Sequence, residues 1–205
     1  MSSDKYLLLK KNISDISTDL TVLDKAERSR YDRLLDDAKK LEFLAGRSFL
    51  KKELAKMAHL TAGEIKISIT PQGKPFYSSS EFEYPHFSIS HSGGAVVLAF
   101  AKIPVGVDLE SGVNLRLASL KPIFTDREFS VLQDMPQAEQ QKELVRLFTM
   151  KEAFIKATDK KWGLDQIYFE WIQDQWRLTK PAVDCFFNFE ETDNGQISVC
   201  LVRES

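Results

Sequence analysis

The sequence predicts an α+β fold. Segments that alternate apolar and polar residues interleave with segments whose apolar residues recur at helical spacing, and both kinds occur in each half of the chain. At 205 residues and 43% hydrophobic, the chain can bury a good core as one large domain or two small ones. Tyr6 to Leu9 reads as a short strand, followed by a charged helical region from about Leu23 to Leu35. A longer helix from about Asp37 to Ala58 is set by Leu41, Leu44, Leu50, Leu54 and Met57. Ile65, Ile67 and Ile69 then alternate as a strand that Pro71-Gln72-Gly73 stops.

Phe87 to Ser90 and Ala95 to Ala101 read as a hairpin around Ser92-Gly93-Gly94, with His91 at its tip. Ile103-Pro104 leads into a strand over Val105 to Glu110. Helices follow at about Asp126 to Asp134 and Ala138 to Thr158, and strands return at Ile167 to Ile172, Gln175 to Thr179, Cys185 to Phe189 and Ile197 to Val202. No internal repeat is visible in the letters, and Ser78-Ser79-Ser80 is the one low-complexity stretch.

Composition narrows the function. A net charge of −2 argues against nucleic acid as the main partner, which calls for a basic excess. Cys185 and Cys200, with His59, His86 and His91 scattered, give no zinc spacing. The polar start, Met1-Ser2-Ser3-Asp4-Lys5, lacks the apolar run of a signal peptide, and no stretch is long enough to span a membrane. A soluble, cytoplasmic protein is expected.

The chemistry concentrates in two distant segments. In Gly106-Val107-Asp108-Leu109-Glu110 the strand period puts Val105, Val107 and Leu109 on one face and Asp108 and Glu110 side by side on the other. In the helix containing Lys151-Glu152-Ala153-Phe154-Ile155-Lys156, Glu152 and Lys156 share a flank. Three carboxylates and two lysines, Lys151 and Lys156, are equipment for holding a divalent cation on a phosphate. Lys151 falls within the apolar stripe and requires an anion or a buried carboxylate beside it. Taken singly, Asp-x-Glu on a strand is an ordinary solvated edge, and Glu152 with Lys156 an ordinary surface pair.

Together with further segments they form an ordered series. Phe87-Ser88-Ile89-Ser90-His91-Ser92-Gly93-Gly94, Gly106-Val107-Asp108-Leu109-Glu110, Phe124-Thr125-Asp126-Arg127-Glu128 and Lys151-Glu152-Ala153-Phe154-Ile155-Lys156 resemble the motifs of the Sfp-type 4′-phosphopantetheinyl transferases. Leu44-Ala45-Gly46-Arg47 and Gly73-Lys74-Pro75 sit where that family carries Gly-Arg and Gly-Lys-Pro elements, and Phe148 stands where many members have Trp.

The resemblance implies two similar α+β halves related by a pseudo-twofold axis, residues 1–103 and 104–205, with the active site in the cleft between them. It implies that Asp108, Glu110 and Glu152 ligate Mg²⁺, with Mn²⁺ as the alternative, and that coenzyme A is a substrate whose pyrophosphate meets the metal. Glu152 is implied as general base, directly or through a water, and Lys156 as a catalytic cation that also contacts coenzyme A. Lys25, Arg28, Arg47, Lys74, Ser90 and His91 are implied at the nucleotide end. Lys25 and Arg28 read equally well as part of a solvated helix face with Glu27, Arg30 and Arg33. The implied partner is an acyl carrier protein or peptidyl carrier domain, and two halves in one chain imply a monomer. Phe124 with Lys121 is either a docking surface for that carrier or, as burial statistics favour, core. The alternatives are a non-catalytic coenzyme A or nucleotide-binding homologue and a metal-dependent phosphodiesterase.

Overall fold

The computed structural model describes residues 5–78, 84–111, 115–193 and 195–203; Met1 to Asp4, Ser79 and Ser80 lie outside them. In chain order the first half holds β1 (Tyr6–Asn12), α1 (Lys25–Arg33), α2 (Asp37–Ala58), β2 (Ser68–Ile69), β3 (Pro75–Phe76), β4 (His86–Ser92) and β5 (Ala95–Ala101). The second holds β6 (Val105–Glu110), α3 (Leu117–Leu120), α4 (Asp126–Asp134), α5 (Gln137–Thr158), β7 (Tyr168–Trp171), β8 (Trp176–Lys180), β9 (Cys185–Thr192) and β10 (Gly195–Val202).

The two halves share one plan. Each contains an antiparallel three-stranded sheet, β1-β5-β4 and β6-β10-β9, with the last strand in the middle. Each carries a 22-residue helix, and both helices stop on a left-handed residue, His59 at φ 55° and Asp159 at φ 49°. Matched registers, Leu9 opposite Leu98 and Asp108 opposite Ser198, place corresponding residues about 100 positions apart.

A second correspondence is buried. The helices α1 and α4 both begin with capping boxes, Asp24 with Glu27 and Thr125 with Glu128, and each box glutamate continues inward to a fully buried lysine. Glu27 accepts from Lys51, and Glu128 from Lys151 at 2.7 Å. Lys151 also donates to the carbonyls of Ile123, Leu164 and Ile167, so its charge is paired and its hydrogens are used. That carboxylate is the partner the apolar setting of Lys151 required.

Helix α2 packs Phe49, Leu50 and Leu54 against Leu98 and Phe100 of the first sheet. Helix α5 packs Leu147, Met150 and Phe154 over Cys200 and Phe169, and Phe124 belongs to this core at 6% exposure. Between the sheets, Ala95, Val97 and Ala99 meet Val105, Val107 and Val199. Cys185 and Cys200 are free thiols.

The expected strand over Ile65 to Ile69 is shorter in the structure. Ile65 and Ile67 are buried, yet only Ser68 and Ile69 pair, because β3 offers two partners before the chain turns. His91 lies inside β4 opposite Val96, with Gly93 and Gly94 making the turn at positive φ. No helix among the described residues is long and apolar enough to cross a membrane.

Candidate active site

The edge strands β4 and β6 of the two sheets meet, and serines at alternate positions of β4 bind β6. Ser88 Oγ accepts from the Val107 N–H at 3.0 Å, Ser90 Oγ donates to Asp108 Oδ1 at 2.9 Å, and Ser92 Oγ donates to Glu110 Oε2 at 3.1 Å. The strand period that sets Asp108 and Glu110 on one face therefore also matches them to Ser90 and Ser92.

That face is covered by α5 rather than open to solvent, and Asp108 is only 3% exposed. The approach is close: a Cβ on Gly106 would sit 1.9 Å from the Ala153 carbonyl oxygen. Helix α5 directs Phe148, Glu152 and Lys156 at the carboxylates. Lys156 Nζ donates to Asp108 Oδ1 at 2.7 Å, Ser90 Oγ at 3.1 Å and the Val107 carbonyl at 3.2 Å. Its ion pair is thus with Asp108 across the fold rather than with Glu152 along its own helix.

These side chains line a cavity of about 460 Å³. The first half contributes Arg30, Glu42, Phe43, Arg47, Ile89, Ser90 and His91; the second contributes Asp108, Glu110, Phe148, Glu152 and Lys156. Cations from one half thereby face carboxylates from the other. Burial, and then the neighbouring charge of Asp108, pushes the carboxyls of Glu110 and Glu152 above the ordinary carboxylate range, with Lys156 opposing. Asp108 Oδ2 is buried and has no hydrogen-bond partner. An orphaned carboxylate oxygen beside two carboxylates that repel it is a donor set suited to a hard cation, which would relieve both costs. Among the described residues, however, no group of three or more His, Cys, Asp or Glu side chains is arranged to hold a metal ion as it stands.

The remaining sequence-derived candidates are distributed unevenly. Arg47 and His91 line the cavity, and His91 Nδ1 lies 3.5 Å from Glu42 Oε2. Lys74 does not line it. Its Nζ donates to the Val105 carbonyl at 3.0 Å, at the junction of the halves, and burial drives its pKa down to about 8 against the pull of Asp159. It borders a neighbouring cavity of about 340 Å³ that shares Gly73, Pro75, Ile89 and Lys156 with the first. Lys25 and Arg28 lie outside the lining, and Arg28 pairs with Asp32 at 3.1 Å on the surface of α1.

Arg30, Glu42 and Phe43 were not singled out by sequence. Phe43 and Glu42 lie four and five positions before Arg47 on α2, so the helical period offered a signal. Arg30 was hidden in the run of charges along α1.

Comparison with known proteins completes the description. Residues 104–200 match the model described as the 4′-phosphopantetheinyl transferase superfamily, and residues 11–103 the model for the N-terminal part of 4′-phosphopantetheinyl transferases. The 4′-phosphopantetheinyl transferase Sfp of Bacillus subtilis (strain 168) is 30% identical over 166 residues, 78% of this chain and 73% of its own. The 4′-phosphopantetheinyl transferase psf-1 of Bacillus pumilus is 31% identical over 197 residues, 93% of this chain and 82% of its own. The chain belongs to the 4′-phosphopantetheinyl transferase superfamily. Members of this family transfer the phosphopantetheine arm of coenzyme A to carrier proteins, and the chain is an enzyme of this type. Its two model matches meet between residues 103 and 104, where β5 gives way to β6.

Proposed function

We propose that the cavity between the halves binds the pyrophosphate and nucleotide end of coenzyme A, and that Asp108, Glu110 and Glu152 hold Mg²⁺ there, with Mn²⁺ as the alternative. The observation that carries this reading is the meeting of Arg47 and His91 from the first half with Asp108, Glu110, Glu152 and Lys156 from the second, in one cavity of about 460 Å³. When bound, the metal supplies charge neutralisation on pyrophosphate oxygens.

The chain's own groups perform the remaining tasks. The serine hydroxyl of an acyl or peptidyl carrier attacks the phosphorus bonded to the pantetheine side. Its oxygen forms the new phosphoester bond while the bond to 3′,5′-ADP breaks, and no covalent enzyme intermediate is needed. Glu152 takes the serine proton directly or through a water; burial and Asp108 raise its affinity for that proton, which suits a base. Lys156, held by Asp108, Ser90 and the Val107 carbonyl, places a fixed positive charge where charge gathers on the leaving group. Arg47, Arg30 and His91 bind phosphate at the nucleotide end, with Ser90 beside them. Arginine adds bidentate geometry there. Lys74 supports the junction from behind this end, and Lys25 and Arg28 add longer-range attraction outside the cavity. The enzyme acts as a cytoplasmic monomer without nucleic acid or membrane.

Purified protein, coenzyme A and Mg²⁺ incubated with a panel of apo carrier domains should yield carriers heavier by one phosphopantetheine arm in intact-protein mass spectrometry. Absence of that product across the panel, with the enzyme folded, overturns the proposal. The same reaction without a carrier tests for simple hydrolysis of coenzyme A, the outcome a phosphodiesterase would give.

A further inference from the structure

Behind the cationic wall of the cavity lies a charge that no substrate reaches. Glu27 is 7% exposed, on α1, and both its carboxylate oxygens are engaged. Oε2 accepts from the Asp24 N–H at 3.1 Å and from Lys51 Nζ. Oε1 lies 3.1 Å from Arg47 Nε, in an ion pair without a hydrogen bond. Arg47 is itself 6% exposed and stands 5.3 Å from the centre of the Phe43 ring, while Arg30 stands 5.4 Å from the same ring. Two guanidiniums are therefore gathered around one aromatic ring at the cavity wall. Their mutual repulsion and the burial of Arg47 both oppose this arrangement, and the negative charge of Glu27, more than that of Asp24, offsets them.

We infer that Glu27 is a positioning residue for anion binding: through Arg47 it holds the guanidinium against Phe43 so that its free edge faces the cavity before coenzyme A arrives. The inference rests on the reading of Arg47 as a phosphate partner and deepens it. A guanidinium held at its Nε edge by an ion pair keeps both terminal nitrogens for a phosphate and loses little freedom on binding, the usual origin of preorganised affinity. The second half provides an internal control. Its Glu128–Lys151 pair is likewise buried and likewise joined to a capping box, but among the described residues the hydrogen bonds of the Glu128 carboxylate run to Lys151, Thr125 and Phe169, none of them an arginine or a residue lining the cavity.

The test is steady-state transfer to an apo carrier with varied coenzyme A. Because Glu27→Gln alone leaves Lys51 buried without its carboxylate, the main variant is Glu27→Gln with Lys51→Met, which removes both charges together. It should raise KM for coenzyme A at least ~5-fold while kcat stays within about twofold, the pattern of lost binding rather than lost chemistry. Arg47→Ala should raise KM by a similar factor, and combining it with the pair should add little further, since all three changes act on one contact. Glu27→Asp, which keeps the charge but shortens its reach, should fall between. The matching second-half variant, Glu128→Gln with Lys151→Met, should leave KM unchanged. A wild-type KM for the first-half pair alongside a raised KM for Arg47→Ala overturns the inference alone, as do fully additive effects. A wild-type KM for Arg47→Ala overturns the reading of Arg47 and the inference with it. If the first-half pair does not fold, Glu27→Asp decides: a KM equal to wild type overturns the inference.

Discussion

The first and second halves build one frame from the same parts and put opposite chemistry on it. At the position where β6 carries Asp108, β1 carries Leu9, packed in the apolar core under α2; where β6 carries Glu110, β1 carries Lys11. On the paired helices, Glu152 and Lys156 correspond to Lys52 and Lys56. The first half buries or solvates these positions, since Lys52 donates to the Ser17 carbonyl and Lys56 pairs with Glu53, both at the surface. The second half turns them inward as three carboxylates around a lysine. Both halves also keep a buried glutamate–lysine pair behind the helix. The frame is thus separable from the chemistry, and substitutions can show which residues belong to which.

The largest expected effect falls on the frame. Glu128→Gln leaves Lys151 fully buried beside an amide, and should cost about 3–5 kcal/mol of stability in chemical denaturation. Adding Lys151→Met should restore most of it. If the single substitution costs under about 1 kcal/mol, the pair is not part of the common frame.

On the chemical side, Lys156→Ala should lower kcat by at least ~10²-fold, the scale for removing one preorganised electrostatic group. The counterpart substitution Lys56→Ala, at an exposed ion pair, should leave kcat unchanged. Equal kinetics for the two would erase the distinction between the halves.

At the joint between them, Lys74 makes stability depend on pH. Its folded pKa of about 8 lies below its ordinary 10.5, so between those values the unfolded chain binds more protons than the folded one. Stability should therefore rise with pH across that window, by about 2 kcal/mol after allowance for partial exposure. Lys74→Met should flatten the rise, and an unchanged pH profile would show that Lys74 is well solvated at the joint.

A smaller effect of opposite sign is expected from the carboxylates. Glu110 and Glu152 have raised folded pKa values, so the folded state holds more protons above their ordinary range and stability declines as pH rises through it. Glu152→Gln should accordingly raise the melting temperature in metal-free buffer while suppressing transfer. Mg²⁺ should stabilise the wild type more than this variant, as differential scanning fluorimetry can measure. Smallest of all is Arg28→Ala, which loses an exposed pair worth at most ~0.5 kcal/mol and should shift KM for coenzyme A far less than Arg47→Ala.

Much of this plan was legible in the sequence because it follows from strict periods. The parity of Asp108 with Glu110 and the shared flank of Glu152 and Lys156 need only the strand and helix repeats, and the structure brings all four together. The demand of Lys151 for a carboxylate follows from its place in an apolar stripe, although nothing local named Glu128. The repeat itself was invisible because it is carried by backbone geometry and one buried pair, with different residues on most matched positions. The ladder from Ser88, Ser90 and Ser92 to β6 depends on two edge strands meeting, which no period reports. For the same reason the sequence could not say that Lys156 binds Asp108, or that Arg30 and Arg47 converge on Phe43. The alternation of Ile65, Ile67 and Ile69 misled because burial alone can drive such a pattern where no long partner strand exists.

Gly106 gives the cleft a ruler. The carboxylates of β6 and Glu152 of α5 are separated by a distance that is set where the helix backbone rests on this strand, and the spacer at that point is a hydrogen atom. A methyl group there would have to lift the helix or bend the strand, because the obstructing atoms at 1.9 Å and 2.4 Å are backbone and cannot rotate aside. Any such shift would carry Glu152 and Lys156 away from Asp108 together, altering the geometry of the cavity while every one of its side chains was still present. The calibration of this enzyme thus resides in a residue that has no side chain to offer.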